Sequence, residues 1–197
     1  QEFPSAAVTV EDLVLTLPLV KPRHYSISSA AEVHPQRLQL TVGVLKVRGR
    51  GDCLLLEGTT REGLCSHHLS RTMPGELVGP GTGISPIMAF LQAREKAVRW
   101  QRQRGQGAAL KPCLVYFGCR DSSEELYSDQ MREWLGAGII AGHHVAVSRG
   151  DGPKVRHTYH LISRQHAEVW ELLRDPRCHV YVCGDSKMGE EVKAEVR

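Results

Sequence analysis

This chain of 197 residues lacks the features of a membrane, secreted or nucleic-acid-binding protein. No apolar run approaches the length of a membrane span, and its first residues do not form a signal peptide. The six cysteines include no Cys-x-x-Cys pair, which favours free thiols in a reducing compartment. A net charge of +3 is too small to require nucleic acid. We therefore expect a soluble, cytoplasmic protein with no nucleic acid among its partners.

Patterns typical of a metal site are also missing. The histidines that stand next to each other, His67-His68 and His143-His144, diverge on either a strand or a helix, so they are poorly placed to share one ion. With 41% hydrophobic and 24% charged residues, the composition is that of a globular protein able to form a core. We expect no metal.

The most informative segment is residues 77–86, where a short apolar run breaks into a glycine loop before a predicted helix. Gly81 and Gly83 lack a Cβ, so the backbone can approach a ligand while the N–H groups of the helix face an anion. Thr82 adds a hydroxyl. The spacing Gly-x-Gly-x-Gly fits neither a P-loop nor the usual dinucleotide fingerprint. The loop predicts a phosphate cradle, with a tight turn that binds nothing as the alternative.

The pattern of the chain changes near Glu76. Before it, residues 13–15 and the alternation at 38–42 read as strands of an antiparallel sheet or barrel, and a short helix is predicted to begin near Cys65. After it, helices alternate with strands, which predicts a parallel sheet with crossover connections. The predicted helices cover 87–104, 124–135, 161–174 and the C-terminus, and the predicted strands cover 113–117, 144–147 and 179–183.

Polar segments follow four strand ends of this second half. Ligands bind beyond the carboxyl ends of the strands in an open parallel sheet, so these segments are expected to line one crevice. They are residues 79–83, 118–120, 148–149 and 183–185.

Sequence motifs along nearly the whole chain make it similar to a known family. They are Phe3-Pro4-Ser5, Leu17-Pro18-Leu19, Arg23-His24-Tyr25-Ser26, Gly63-Leu64-Cys65-Ser66, Phe117-Gly118-Cys119-Arg120 and Tyr181-Val182-Cys183-Gly184-Asp185. The chain resembles the diflavin branch of the ferredoxin-NADP-reductase-like flavoproteins, most closely the reductase part of nitric oxide synthases. The resemblance implies an α/β NADPH-binding domain over 77–197, its parallel sheet covered by helices on both faces. An incomplete antiparallel β-barrel that binds FAD would precede it over 1–76.

The resemblance implies a role for each matched residue of the FAD half. Arg23 would pair with the FAD pyrophosphate, for which its planar fork of donors is suited. Tyr25 would stack on the flavin, and Ser26 would hydrogen-bond near the flavin N5. The FAD phosphates would be held by Gly63, Leu64, Cys65 and Ser66.

In the NADPH half, Gly81, Thr82 and Gly83 would hold the pyrophosphate and the nicotinamide ribose. The 2′-phosphate would be bound by Ser148, Arg149 and Lys154. The implied catalytic residues are Ser26, Cys183 and Asp185, with Cys183 beside the nicotinamide C4. Flanking the same cleft would be Cys119 and Arg120.

The chain departs from the family at three places. Arg156 stands where the family has Tyr, and Thr158 where it has Gln, both expected near the adenine and the 2′-phosphate. Ile87 and Met88 replace a Phe-Arg pair after the loop. A stretch of about two strands' length is missing between Glu76 and Leu77. We therefore expect weak FAD binding and slow turnover.

The implied activity is hydride transfer from NADPH to FAD, with electrons leaving through FMN to a haem that produces nitric oxide from arginine. The FMN domain, the haem oxygenase domain with its tetrahydrobiopterin, and a calmodulin-binding segment would lie outside this chain in a dimeric protein. Because the chain begins at Gln1 without Met, we expect a piece of a longer protein.

Other readings stay open. The chain is also compatible with another diflavin reductase similar to cytochrome P450 reductase, or with a truncated nucleotide-binding module of impaired activity. Residues 94–104 form a basic helix that would suit a membrane or calmodulin, although a solvated helix face explains it as well.

Overall fold

The computed structural model describes residues 7–19, 21–43, 46–48, 60–63, 65, 68, 82–105, 111–149 and 157–196. Its elements are α1 (Val10–Thr16), β1 (Lys46–Arg48), β2 (Thr60–Glu62), α2 (Ile84–Gln103), β3 (Leu114–Cys119), α3 (Ser128–Gly136), β4 (Gly142–Val147), α4 (Thr158–Arg164), α5 (His166–Leu173) and α6 (Ser186–Glu195). Cys65 and His68 are helical. Within these ranges no helix is both long and apolar enough to cross a bilayer.

The prediction of a strand at residues 13–15 is wrong, because these residues lie in α1. Thr9 and Asp12 form a capping box: the Asp12 N–H donates to the Thr9 hydroxyl (3.1 Å), and the Thr9 N–H donates to the Asp12 carboxylate (2.9 Å). This pair satisfies two donors at the start of the helix. Local capping therefore outweighs the apolar run, whose side chains stay exposed.

The strand predicted at 38–42 is also wrong, since the described residues form only one antiparallel bridge there, Ile27 to Leu40. The Ser29 hydroxyl accepts the Gln39 N–H at 3.0 Å, which takes this donor away from a backbone ladder. β1 and β2 pair antiparallel, with Lys46 opposite Glu62. The described residues of the first half do not close into a barrel, so the barrel stays a prediction.

The second half contains two strands of the predicted parallel sheet. β3 and β4 pair in parallel from Leu114 opposite Gly142 to Cys119 opposite Val147. Val115 and Phe117 point to the hydrophobic core formed with α2 and α3. On the opposite face, Tyr116 donates a hydrogen bond to Gln165 between α4 and α5. Helices thus cover both faces of this sheet, as predicted.

The core lies between β3, α2 and α3. Met131 and Trp134 of α3 are almost completely buried, and they meet apolar residues that recur along α2 at helical spacing. Burial of one such side chain contributes about 1.5–3 kcal/mol. The α2 and β3 residues of this core are Ile84, Met88, Leu91, Val98, Val115, Phe117 and Cys119.

Two helices differ from their predicted bounds. The helix predicted at 124–135 starts only at Ser128, because Ser122–Glu124 forms a 3-10 turn and Tyr127 adopts a left-handed backbone conformation (φ 59°). The helix predicted at 161–174 is interrupted at Gln165, whose φ and ψ are −105° and 23°. The Gln165 side chain bonds Tyr116 and His144 of the sheet.

The prediction of a buried strand at 179–183 is wrong. Val180, Tyr181 and Val182 are exposed, by 51%, 62% and 47%. A strand requires backbone hydrogen bonds to a neighbour, and no described residue provides them to this segment. The apolar run before the glycine loop, residues 77–78, lies outside the described residues.

Hydrogen bonds join the first half to the middle of α2 and to Tyr127, the residue before α3. The Ala30 N–H donates to the Gln92 side chain at 2.9 Å, and the Thr41 and Tyr127 hydroxyls share a hydrogen bond of 2.6 Å. The Lys96 ammonium also contacts the Glu32 carbonyl. These contacts hold residues 30–41 against α2 and the residue before α3.

Candidate functional site

A cavity of about 1290 Å³ runs along the whole of β3, from Lys111 before its amino end to Arg120 beyond its carboxyl end, and it reaches Ser148 after β4. The part at the carboxyl ends of the strands is therefore one end of a longer groove. The wall includes the strand ends, the starts of α2 and α4, residues 24–26 and residues 178–185.

The four polar segments meet in pairs, as far as they are described. The Ser148 N–H donates to the Cys119 carbonyl and the Arg149 N–H to the Arg120 carbonyl, both at 2.9 Å. Gly83 approaches the backbone of Cys183. Ser148, Cys119, Gly83 and Cys183 all line the cavity.

Glycine is required at position 83 because a side chain would not fit there, and not because of the backbone conformation. Its φ of −57° suits any residue, but a Cβ at this position would overlap the Cys183 carbonyl oxygen and lie 3.1 Å from the carbonyl carbon. The first turn of α2 has neither a capping side chain nor an acidic residue. The start of this helix carries partial positive charge, so the residues present fit a phosphate.

The two cysteines at the cavity differ in exposure. Cys119 is buried, and burial, followed by the nearby carboxylates of Glu125, Glu124 and Asp121, raises the pKa of its thiol. It therefore stays protonated at neutral pH. Cys183 is exposed on the wall of the cavity.

Arg120 and Asp185 both have structural partners. The Arg120 guanidinium forms a salt bridge with Glu124 at 2.9 Å. The Asp185 carboxylate accepts the Met188 N–H at 2.9 Å and so caps α6. Asp185 thereby fixes the turn that follows Cys183, and its predicted catalytic role stays a prediction.

The predicted FAD residues are only partly gathered at the cavity. Tyr25 and Ser26 line it, and Thr158 of α4 lies on the same wall. Arg23 is exposed and donates to the Lys21 carbonyl at 3.4 Å. The described wall does not include Gly63 or Cys65. Outside the described residues lie Leu64, Ser66, Gly81, Lys154 and Arg156.

Three residues that join the two halves were not predicted from the sequence, and two of them, Thr41 and Ser85, line the cavity. Thr41 and Ser85 are buried, and the Ser85 hydroxyl contacts the carbonyls of Thr82 at 2.8 Å and of Thr41 at 3.4 Å. Tyr127 contacts Thr41. A hydroxyl residue within an apolar strand or at a helix start gives only a weak signal, because such residues are common at turns and caps.

Two family models match the chain. The model described as FAD binding domain matches residues 1–68, and the model described as oxidoreductase NAD-binding domain matches residues 77–194. The second match covers more than half of the chain.

Several curated relatives align with nearly the whole chain. Nitric oxide synthase of Bombyx mori is 30% identical over 219 positions, which cover 100% of this chain and 18% of the relative. Inducible nitric oxide synthase of Bos taurus is 35% identical, covering 98% of this chain and 18% of the relative. NADPH–cytochrome P450 reductase of Rattus norvegicus is 30% identical, covering 98% of this chain and 31% of the relative.

This chain therefore spans less than a third of the length of these relatives. The alignment of 219 positions with the Bombyx mori protein is 22 positions longer than the 197 residues of this chain. At least that many positions of the relative have no counterpart here. The chain belongs to the oxidoreductases in which an FAD-binding domain is joined to an NAD-binding domain, with FAD and NADPH as cofactors.

Proposed function

We propose that this chain is the NADPH-dependent reductase module of a nitric oxide synthase, in which hydride passes from NADPH to FAD. The observation that carries the proposal is the meeting of Gly83 with Cys183 and of Ser148 with Cys119 at one cavity, with Ser26 on the same wall. When bound, NADPH supplies hydride from its nicotinamide C4 and FAD accepts it at N5.

The start of α2 holds the pyrophosphate. Its first turn carries partial positive charge and no acidic residue, and the absence of a Cβ at Gly83 lets the loop lie against Cys183. The Ser85 N–H already donates to the Thr82 carbonyl and Pro86 has no N–H, so these two residues add no donor. Ser148 and Arg149, at the end of β4, bind the 2′-phosphate through a hydroxyl and a guanidinium. Such cationic and hydroxyl donors favour NADPH over NADH.

Ser26 and Cys183 orient the two rings. Ser26 is exposed on the flavin side of the cavity, and Cys183 is exposed on the nicotinamide side. Cys119 contributes a protonated thiol, because burial raises its pKa. Asp185 keeps Cys183 in place by capping α6. These groups orient the cofactors, while the redox chemistry belongs to the cofactors.

The partners proposed for the longer protein follow from its similarity to nitric oxide synthases. An FMN domain would take electrons from FAD, and a haem oxygenase domain with tetrahydrobiopterin would use them. Calmodulin would bind a segment outside this chain, and the longer protein would be a cytoplasmic dimer.

A second candidate is a reductase similar to cytochrome P450 reductase, favoured by the 30% identity to the rat enzyme over 98% of this chain. A third is a nucleotide-binding module of impaired activity, favoured by the 22 unmatched positions.

Steady-state reduction of ferricyanide tests the reductase function. The rate is expected to require both NADPH and added FAD, and Cys183→Ser is expected to lower kcat more than it raises KM. A chain that binds NADP⁺ but shows no FAD-dependent rate would support the impaired module instead.

A further inference from the structure

The backbone of Tyr127 is unusual for a residue with a side chain. Tyr127 precedes α3 with φ 59° and ψ 26°, and the other described residues with positive φ are glycines, Gly105 and Gly138. A left-handed conformation is costly for an L-residue with a Cβ, and residues under such strain cluster at functional sites. We therefore expect a contact of Tyr127 elsewhere in the chain to compensate for the cost of this backbone conformation.

That contact joins Tyr127 to the first half of the chain. Its hydroxyl shares a hydrogen bond of 2.6 Å with the hydroxyl of Thr41, which is 86 residues away in sequence. Thr41 is 6% exposed and lines the cavity. Tyr127 thus reaches a buried partner that belongs to the opposite half.

Thr41 is connected to both walls of the cavity. The residue before it, Leu40, forms the bridge with Ile27, and Ile27 is next to Ser26 on the flavin side. The Ser85 hydroxyl donates its single proton to the carbonyl of Thr82 at 2.8 Å, one residue before Gly83 on the nicotinamide side. The oxygen of this hydroxyl also lies 3.4 Å from the Thr41 carbonyl, which is a weaker contact.

We propose that Tyr127 is a positioning residue for hydride transfer, which sets the distance between the flavin side and the nicotinamide side of the cavity through Thr41 and Ser85. It touches neither cofactor. Hydride transfer depends steeply on the separation and orientation of the reacting atoms, and a misplacement of about 1 Å can cost about a hundredfold in rate. This inference rests on the proposed function, because it assumes that both rings meet in this cavity.

The test is anaerobic stopped-flow measurement of flavin reduction, using the full chain with saturating FAD and NADPH. Tyr127→Phe removes only the hydroxyl, and we expect the rate to fall about tenfold while the dissociation constants for FAD and NADP⁺ change less than twofold. Thr41→Val is expected to give the same fall. Because both remove one hydrogen bond, the double variant is expected to be no slower than either single variant.

A control variant separates positioning from general loosening of the fold. Thr16→Val removes a threonine hydroxyl that is bonded within α1 and does not line the cavity. This control is expected to keep the rate of the unsubstituted chain. NADPH deuterated at the transferred position verifies that hydride transfer is the step observed.

The inference is overturned if Tyr127→Phe keeps the full rate, if Thr16→Val slows reduction equally, or if the effects of Tyr127→Phe and Thr41→Val multiply. A different result would contradict the proposed function itself. In that case the unsubstituted chain, loaded with FAD, would show no flavin reduction by NADPH.

Discussion

At the scale of single residues, the absence of a Cβ at Gly83 allows the loop to lie against the backbone of Cys183. A Cβ at Gly83 would meet a backbone carbonyl, which cannot rotate away as a flexible side chain does. By contrast, a Cβ at Gly189 within α6 would meet nothing within 4 Å. Substitution of Gly189 by alanine is therefore a matched control for substitution of Gly83.

Gly83→Ala is expected to destabilise the chain by about 1–3 kcal/mol, because the added methyl group forces a backbone shift. It is also expected to weaken NADP⁺ binding. Gly189→Ala is expected to stabilise the chain by about 0.5–1 kcal/mol, because alanine favours a helix interior. Denaturant unfolding and calorimetric titration with NADP⁺ measure both effects; equal stability of the two variants would contradict the assigned contact.

The two cavity cysteines are expected to differ in reactivity, because only the thiolate reacts rapidly with alkylating reagents. Cys183 is exposed, whereas burial raises the pKa of Cys119. Iodoacetamide at neutral pH should therefore modify Cys183 well before Cys119, and NADP⁺ should protect Cys183. Mass spectrometry of peptides checks this order. Modification of Cys183 at the same rate with saturating NADP⁺ would show that the nucleotide lies elsewhere.

At the scale of elements, the segment after α5 is tied to the start of β3 by charge. The Asp175 carboxylate contacts the Lys111 ammonium at 2.9 Å and the Arg177 guanidinium at 3.0 Å. Hydrogen bonds from Arg177 first, and then from Lys111, hold the pKa of Asp175 well below its ordinary value of 3.8. The folded chain therefore binds this proton less readily than the unfolded chain.

This difference predicts a loss of stability in acid. The contribution of Asp175 is complete above about pH 4 and is lost as the pH falls below the unfolded pKa toward the folded one. Asp175→Asn should be less stable than the original chain at pH 7, and this difference should shrink at pH 3. Asp129→Asn removes an exposed pair with Arg132 and should change little. Urea unfolding at both pH values tests this; a constant difference would contradict it.

Long elements with a regular apolar pattern could be predicted from the sequence. The apolar spacing of α2 and the apolar residues of β3 and of the end of β4 specify these elements locally, and the sheet edge then follows from parallel topology. The predictions of secondary structure failed where a hydrogen bond with a side chain outside the apolar pattern determines the backbone conformation. A capping box made residues 13–15 helical, and the Ser29 hydroxyl interrupted 38–42.

Apart from the family resemblance, the sequence predicted only those residues of the candidate site that follow directly after a strand of the parallel sheet. The meeting of Ser148 with Cys119 follows from the sheet, whereas the contact of Tyr127 with Thr41 joins residues far apart in sequence and gives no local signal. The exposure of residues 179–183 depends on a neighbouring strand, which no pattern within that segment can reveal.

At the scale of the whole molecule, the chain is shorter than its relatives by at least 22 aligned positions. That this difference lies between Glu76 and Leu77 stays a prediction from the sequence; the FAD family match ends at residue 68 and the NAD family match begins at residue 77. Val180, Tyr181 and Val182 are exposed among the described residues.

Inserting the corresponding stretch of a nitric oxide synthase between Glu76 and Leu77 is expected to stabilise the chain and raise its affinity for FAD. Burial of Tyr181 and its neighbours should slow hydrogen exchange at 179–183. An insertion of the same length made of Gly and Ser is the control. Equal exchange in the two insertions would show that the stretch does not complete the sheet.

The central claim is that NADPH bound in the cavity at the ends of β3 and β4 reduces FAD held beside it. Anaerobic addition of NADPH to the chain saturated with FAD tests this most directly, through the visible absorbance of the flavin. The account predicts that NADPH bleaches the flavin much faster than NADH at equal concentration, and that Arg149→Ala reduces this preference. Flavin that stays oxidised with NADPH, or bleaches equally with NADH, would contradict it.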